Sequence, residues 1–391
     1  MKPSKHIFLQ ISSTPESLIA LLVTLPAYML IVLGTDMITQ GAAYALYALI
    51  PVVLYKNNQP ITLSKRFLMV WGIFLSAWLI PNLYLMSTHS LESYLIDKKV
   101  LAFHALALSV VVVSFVSWQK TQNQRARDEF FRTMFLLTAP LIVLMGFKIL
   151  TTFVMNPEAR VLVFGYAHLN AEILLIGLFL SAFAGSVKFK AVWALFIMTC
   201  LIAIQTRSGL IAALIYLGAV YGQRSWFKVT LQKILIATLV AALVVIFWQQ
   251  IFIALDAVFY FAHPGRNLES GFTSRTLIWE IALQEIGKNP WTGIGFFVRP
   301  DPWWQPDNPN LHVHNAFLRV WVENGTVLFT LMVGIISMAV YRVLAHKLLW
   351  EAAVLFSILF YYFFYPRHLT LNPMSILLYL ILIRALVVKK R

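Results

Sequence analysis

The sequence predicts an all-α polytopic membrane protein with about twelve transmembrane helices and one large loop, bearing short helices, on the non-cytoplasmic side. Three observations predict it. Of the 391 residues, 60% are hydrophobic and only 12% charged, and mean hydropathy is +0.76. Apolar runs recur at lengths that can cross a hydrocarbon core of about 30 Å. Lys and Arg crowd into alternate short loops. A soluble chain of this size could not bury that much apolar surface.

Taken in order, the expected spans lie at about 17–34, 40–55, 66–86, 99–118, 132–153, 162–184, 190–205, 207–222, 234–254, 316–341, 350–365 and 372–387. The seventh and eighth form a tight pair around Gln205-Thr206-Arg207-Ser208-Gly209. Residues 1–254 then hold nine spans, 255–315 the large loop, and 316–391 the last three, in a single integral membrane domain. The polar start, MKPSKHIFLQISSTPES, shows no cleavage-site pattern, so the first run is read as a retained span.

An even number of spans puts both termini on one side. With that side cytoplasmic, 20 of the 31 Lys and Arg fall in short cytoplasmic segments, as the positive-inside rule requires. The net charge of +15 therefore has a topological cause. It implies a lipid bilayer as partner and no nucleic acid. Cys200 is the only cysteine, which excludes an intrachain disulfide and a cysteine metal cluster.

The large loop is the only long polar segment, and so the natural place for an outward-facing site. It opens with Gly265-Arg266-Asn267-Leu268-Glu269-Ser270-Gly271. A helix is expected from about Ser274 to Ile286, with Ser274 as its cap. Leu277, Ile278, Ile281 and Leu283 would form its apolar side against Glu280, Gln284 and Glu285, lying on the membrane surface. A stretch rich in Pro, Gly and Trp follows, from Pro290 to Pro309, and is read as a shaped loop at headgroup level.

Charges at membrane depth are costly, so each needs a reason. Arg207 ends the tight two-span turn. Its planar fork suits a phosphate through bidentate, charge-assisted bonds; the bland alternative is a snorkelling arginine. Arg275 faces the same anion or is simply solvated, and Arg266 is a weaker candidate. Where the loop re-enters the membrane stands Leu311-His312-Val313-His314-Asn315, followed by Arg319. A histidine here can act as general base on a sugar hydroxyl, and Asn315 can orient the acceptor or the imidazole. Zinc and a purely structural interface are the alternatives; two histidines without a nearby cysteine or carboxylate make a poor metal site. Arg319, Arg367 and His368 could add to an anion-attracting cavity. In the segment from Arg160 to Asn170, followed by Glu172, a carboxylate inside a span is either paired with a base or functional.

One scheme fits these groups: a lipid-diphosphate sugar donor, arginines on its diphosphate, and a histidine on the acceptor hydroxyl. No Asp-x-Asp pattern is present to hold a metal for a nucleotide sugar, so no cofactor and no metal are expected.

Three blocks carry a resemblance to a known family. They are Gln205-Thr206-Arg207, the stretch GFTSRTLIWEIALQEIGKNPWTGIG from Gly271 to Gly295, and His312-Val313-His314-Asn315 with Gly325 after nine residues. Together they resemble the O-antigen ligase of lipopolysaccharide synthesis, within the O-antigen ligase/polymerase superfamily. The resemblance covers roughly residues 160–330; the first 150 match only in hydropathy. It implies a GT-C-type membrane glycosyltransferase of the bacterial inner membrane, with its active site on the periplasmic face. The implied donor is undecaprenyl diphosphate-linked O antigen and the implied acceptor lipid A–core oligosaccharide. The implied reaction is inverting and metal-independent, with His314 as the base and Arg207 and Arg275 as diphosphate-binding residues; His312, Asn315, Arg266 and Arg319 complete the expected substrate contacts. The chain departs from the family pattern at Leu328, where a small residue or Tyr is usual, and at Arg367 and His368, where an acidic residue is usual. An O-antigen polymerase, with a second lipid-linked glycan as acceptor, is the nearest rival. A transporter would instead carry internal repeats and charges through the bundle centre, and neither is seen.

Overall fold

The computed structural model describes residues 14–32, 37–57, 63–88, 98–121, 124–156, 163–164, 167–222, 268–295, 313–365 and 372–387. Twelve α-helices lie among them: α1 (Pro15–Val32), α2 (Met37–Lys56), α3 (Lys65–Thr88), α4 (Lys98–Thr121), α5 (Gln124–Met155), α6 (Ala167–Leu180), α7 (Val187–Ala203), α8 (Arg207–Gly222), α9 (Leu268–Lys288), α10 (Ala316–Ala345), α11 (Leu349–Phe363) and α12 (Pro373–Val387). Eleven of the twelve expected spans coincide with a helix; the span at 234–254 lies outside the described residues, as do Arg367 and His368.

Stretches within α3 and α4, together with the whole of α5 and α10, are long and apolar enough to cross a membrane. Shorter apolar helices, α6, α8, α11 and α12 among them, pack with them. Along α5 the buried residues Phe131, Met134, Phe135, Thr138, Ile142, Met145 and Ile149 recur every three or four positions. Leu144 and Phe147 on the other side are 72% and 70% exposed. Water would penalise that face; lipid does not.

α6 is the axis of the bundle. All but one of its residues are buried, and it packs on α5, α7, α8 and α12. α1 packs on α2 and α5, and α11 lies along α8.

Two expectations are corrected. Ser274 is not the cap of the loop helix, because α9 already begins at Leu268. Gly271 costs only about 1 kcal/mol inside a helix. The stripe that α9 buries is Ile278, Ala282 and Ile286, while Leu283 is 53% exposed. Second, the span at 316–341 is not continuous. α10 breaks at Gly325, with φ 74° and ψ 176°.

At one end of the bundle, three of the segments expected on the cytoplasmic side meet. There the Glu351 carboxylate, at the start of α11, accepts hydrogen bonds from Arg127 Nη1 at 2.9 Å and from Arg384 Nε. Arg384 also reaches Gln119 Oε1 at 3.4 Å, and Arg127 pairs with Asp128 at 3.0 Å. Glu351 is 3% exposed, and the two arginines are 12% and 15% exposed. Arg127 and Arg384 thus do more than set topology: with one carboxylate they join α5, α11 and α12. Removing the carboxylate leaves two neighbouring cations in a largely buried place. Glu351→Ala is expected to destabilise the bundle by roughly 3–5 kcal/mol, read as a lower melting temperature of the detergent-solubilised protein. An unchanged melting temperature would refute this.

Candidate functional site

Two unusual turns hold the two best candidate residues. α7 stops in a Schellman arrangement. Gln205 N–H donates to Ile202 O at 2.9 Å and Thr206 N–H to Leu201 O at 3.4 Å. Such a stop needs a left-handed residue, ordinarily glycine. Here it is Gln205, at φ 54°. Arg207 follows at once as the first residue of α8. The turn is pressed into the bundle: Gln205 and Thr206 are buried. A Cβ on Gly209 would come within 3.1 Å of Ala171 on α6. Arg207, partly exposed, therefore sits at a helix N-terminus, where backbone N–H groups and the dipole also favour an anion.

His314 is the second left-handed non-glycine residue, at φ 48°. Its neighbours fix it from both sides. Val313 is fully buried, and its carbonyl accepts a 2.8 Å hydrogen bond from the indole N–H of Trp279 on α9. Asn315 caps α10, its Oδ1 accepting from Leu318 N at 3.0 Å. Left-handed backbone costs a β-carbon residue of order 1 kcal/mol. Such strain persists where surroundings over-determine it, typically at functional positions.

The same end is closed by the loop after α9. The break in α10 takes carbonyls of 322 and 323 out of the helix ladder, and at membrane depth they need other donors. The loop supplies them: Ile294 N–H to Val322 O at 2.9 Å and Gly295 N–H to Glu323 O at 3.0 Å. In return Thr326 N–H donates to Pro290 O at 2.7 Å. Backbone meets backbone here. A Cβ on Gly293 would lie 2.5 Å from Glu323 O, and one on Gly325 would overlap the Trp291 carbonyl. The Pro-x2-Gly-x-Gly and His-Asn-x9-Gly spacings are thus two halves of one joint. A small separate core, with Ile278, Ala282, Ile286, Val313 and Val322, seals α9 onto it.

Ring and hydrogen-bond contacts tie these parts to the rest of this end. The end of α11 touches α9 through Phe363 and Trp279, with centroids 6.0 Å apart. It touches the start of α6 through Tyr361, whose hydroxyl donates to His168 O at 2.6 Å. The His168 ring lies 5.0 Å from that of Tyr365. One turn further along α6, Ala171 meets Gly209 of the Arg207 turn. The contacts run from Arg207 through α6 and α11 to Trp279 and the His314 turn, placing both candidates at the end opposite Glu351.

Arg319 is placed differently from expectation. Its Nε donates to Glu323 Oε1 at 2.7 Å; the two are 11% and 1% exposed. Its charge is already matched by a buried carboxylate that was not singled out in the sequence. Glu172 is fully buried on α6, within electrostatic reach of Tyr28. Asn170 Oδ1 accepts from Phe164 N at 3.0 Å and so ties down the entry to α6. Arg275 lies in α9 one turn before Trp279; its side chain, and all of Arg266, His312 and Arg160, lie outside the described residues. Among the described residues no three His, Cys, Asp or Glu gather where they could hold a metal.

This geometry coincides with a family match. Residues 191–333 match the family model described as O-antigen ligase. Over that segment, just over a third of its length, the chain is similar to the O-antigen ligase/polymerase superfamily. No curated protein and no solved structure matches the chain. The matched segment runs from within α7 to residue 333 in α10, past the break at Gly325, and contains the Arg207 turn, α9, the glycine joint and the His314 turn. The family is enzymatic, of ligase or polymerase type, and implies lipid-linked glycan substrates in a membrane. α1 to α6 lie outside the matched segment.

Proposed function

We propose that this protein transfers O-antigen polysaccharide from undecaprenyl diphosphate to lipid A–core oligosaccharide at the periplasmic face of the inner membrane. The observation that carries the proposal is His314, held in a left-handed turn by Trp279 and the Asn315 cap, at the same bundle end as Arg207.

In this reading the His314 imidazole takes the proton of an acceptor hydroxyl. The freed oxygen attacks the anomeric carbon from the face opposite the diphosphate. The bond from that carbon to the diphosphate oxygen breaks, and the configuration inverts. Charge grows on the departing diphosphate. Arg207, with the N-terminus of α8 behind it, and Arg275 receive that charge; preorganised donors of this kind contribute about 10²–10³ in rate each. The activation resides in the lipid diphosphate, so the scheme needs no metal.

An apolar cavity supports a lipid-linked donor. It begins against Ala316 and Phe317, directly after the His314 turn, and runs between α3, α4, α10 and α12 past Leu378 to Leu386. A polyprenyl tail lying there would place its diphosphate at the reacting end.

The test is complementation. Cells lacking their ligase and expressing this protein should attach O antigen to lipid A–core, read as laddering on a gel. Failure to do so, with rescue of a polymerase-deficient strain instead, would make the acceptor a second lipid-linked glycan. Arg207→Ala is expected to lower transfer about 10²-fold or more. Arg207→Lys should recover little, since an ammonium lacks the planar fork. Full activity in Arg207→Ala would remove the diphosphate assignment.

A further inference from the structure

The break in α10 is held from a second direction, by a part of the chain that the family match does not reach. Asn82, on α3, donates from Nδ2 to Asn324 Oδ1 at 3.1 Å and to Trp78 O at 2.7 Å. Asn324 in turn donates to Val320 O at 3.2 Å, bracing the last turn before the break. Both carboxamides are fully buried. Polar side chains so placed are costly unless paired, and these two pair with each other beside the glycine joint.

We propose that Asn82 is a positioning residue: through Asn324 it fixes the angle of α10 at its break, and with it the turn that carries His314. The inference rests on the proposed transfer reaction. The mechanics follow from helix geometry. From Ala316 to Asn324 the helix is a rod of about 14 Å at 1.5 Å per residue. A tilt of about 5° at the break moves its His314 end by about 1 Å, a misplacement able to cost about 10²-fold in rate. The loop's backbone bonds at 294 and 295 hold one side of the break. The Asn82–Asn324 pair holds it toward α3. Among the described residues Asn82 bonds to Asn324 and Trp78; it acts on the direction in which the base is presented.

Plain helix–helix adhesion is the alternative, and kinetics separate the two. The full-length protein in nanodiscs is assayed with a labelled O-antigen unit on polyprenyl diphosphate and with lipid A–core as acceptor. Asn82→Leu, Asn324→Leu and the double variant are compared for kcat, donor KM and melting temperature. Each single variant is expected to lose about tenfold in kcat, with donor KM within about twofold and a lower melting temperature, because one buried carboxamide is left short of a partner; the double variant, which leaves none, should regain melting temperature without regaining kcat. The double variant should lose no more than the worse single one, since the two residues act as a unit. Wild-type kcat in both singles, losses that multiply in the double variant, or losses that track melting temperature would each overturn the proposal. If Asn82→Leu does not accumulate, Asn82→Ser, whose short hydroxyl cannot span to Asn324, takes its place with the same outcomes. His314→Ala is run alongside: wild-type turnover there would defeat the assignment of the base whatever Asn82 does.

Discussion

His314→Ala is expected to cut glycan transfer by about 10²–10⁴-fold, the usual contribution of a positioned general base, while the protein accumulates normally. The separation between lost activity and kept abundance follows from the local structure. Two anchors of this turn come from its neighbours: the Val313 carbonyl takes the Trp279 indole, and Asn315 caps α10. His314 as a residue is only part-buried. Alanine also tolerates the left-handed backbone at a cost of about 1 kcal/mol, which the native histidine already bears. Quantitative gel analysis of ligase-deficient cells, alongside membrane abundance by immunoblot, measures both halves. Wild-type laddering at normal abundance would remove His314 from the chemistry.

Gly325→Ala is expected to fail at the level of folding. Two effects add. The position lies at φ 74°, which costs a β-carbon residue about 1–2 kcal/mol. The new methyl would also overlap the Trp291 carbonyl and approach Thr292 N at 2.9 Å. Both neighbours are backbone, so relief requires the loop to lift away. Lifting it strands the carbonyls of Val322 and Glu323 without their donors, at several kcal/mol per group in hydrocarbon. Little protein should survive detergent extraction, and what survives should melt far lower. Normal yield and an unshifted melting temperature would contradict the joint as described.

The spans were legible in the sequence because lipid leaves little choice: an apolar run must pair its backbone internally and be long enough to cross. The turn around Arg207 was legible for the same reason, since two apolar runs met with almost nothing between them. The break in α10 was not. Residues 316–341 read as one span, because Glu323 and Asn324 interrupt an otherwise apolar run only briefly. What makes the break affordable lies elsewhere in the chain, in the donors of residues 294 and 295. The role of Asn82 is not legible in the sequence, because its partner stands 242 residues away. Glu351 looked like an ordinary acidic residue opening a helix; only folding brings Arg127 and Arg384 to it. Arg319, expected in an anion-attracting cavity, pairs instead with Glu323 one turn on, an i,i+4 pair visible in the sequence. The loop helix was placed correctly but started too late, since a serine with helix-like sequence after it imitates a cap.

The strap across α10 bears on how the protein is made. During synthesis the segment with the two donor N–H groups leaves the ribosome before the helix whose carbonyls it will satisfy. A newly inserted α10 therefore meets its splint already delivered to the bilayer, and its bent backbone need not wait exposed in oil for a partner still to be translated. A circular permutation that moved residues 289–295 behind α10 would reverse that order, and the nascent helix would face the membrane interior with its broken rungs open.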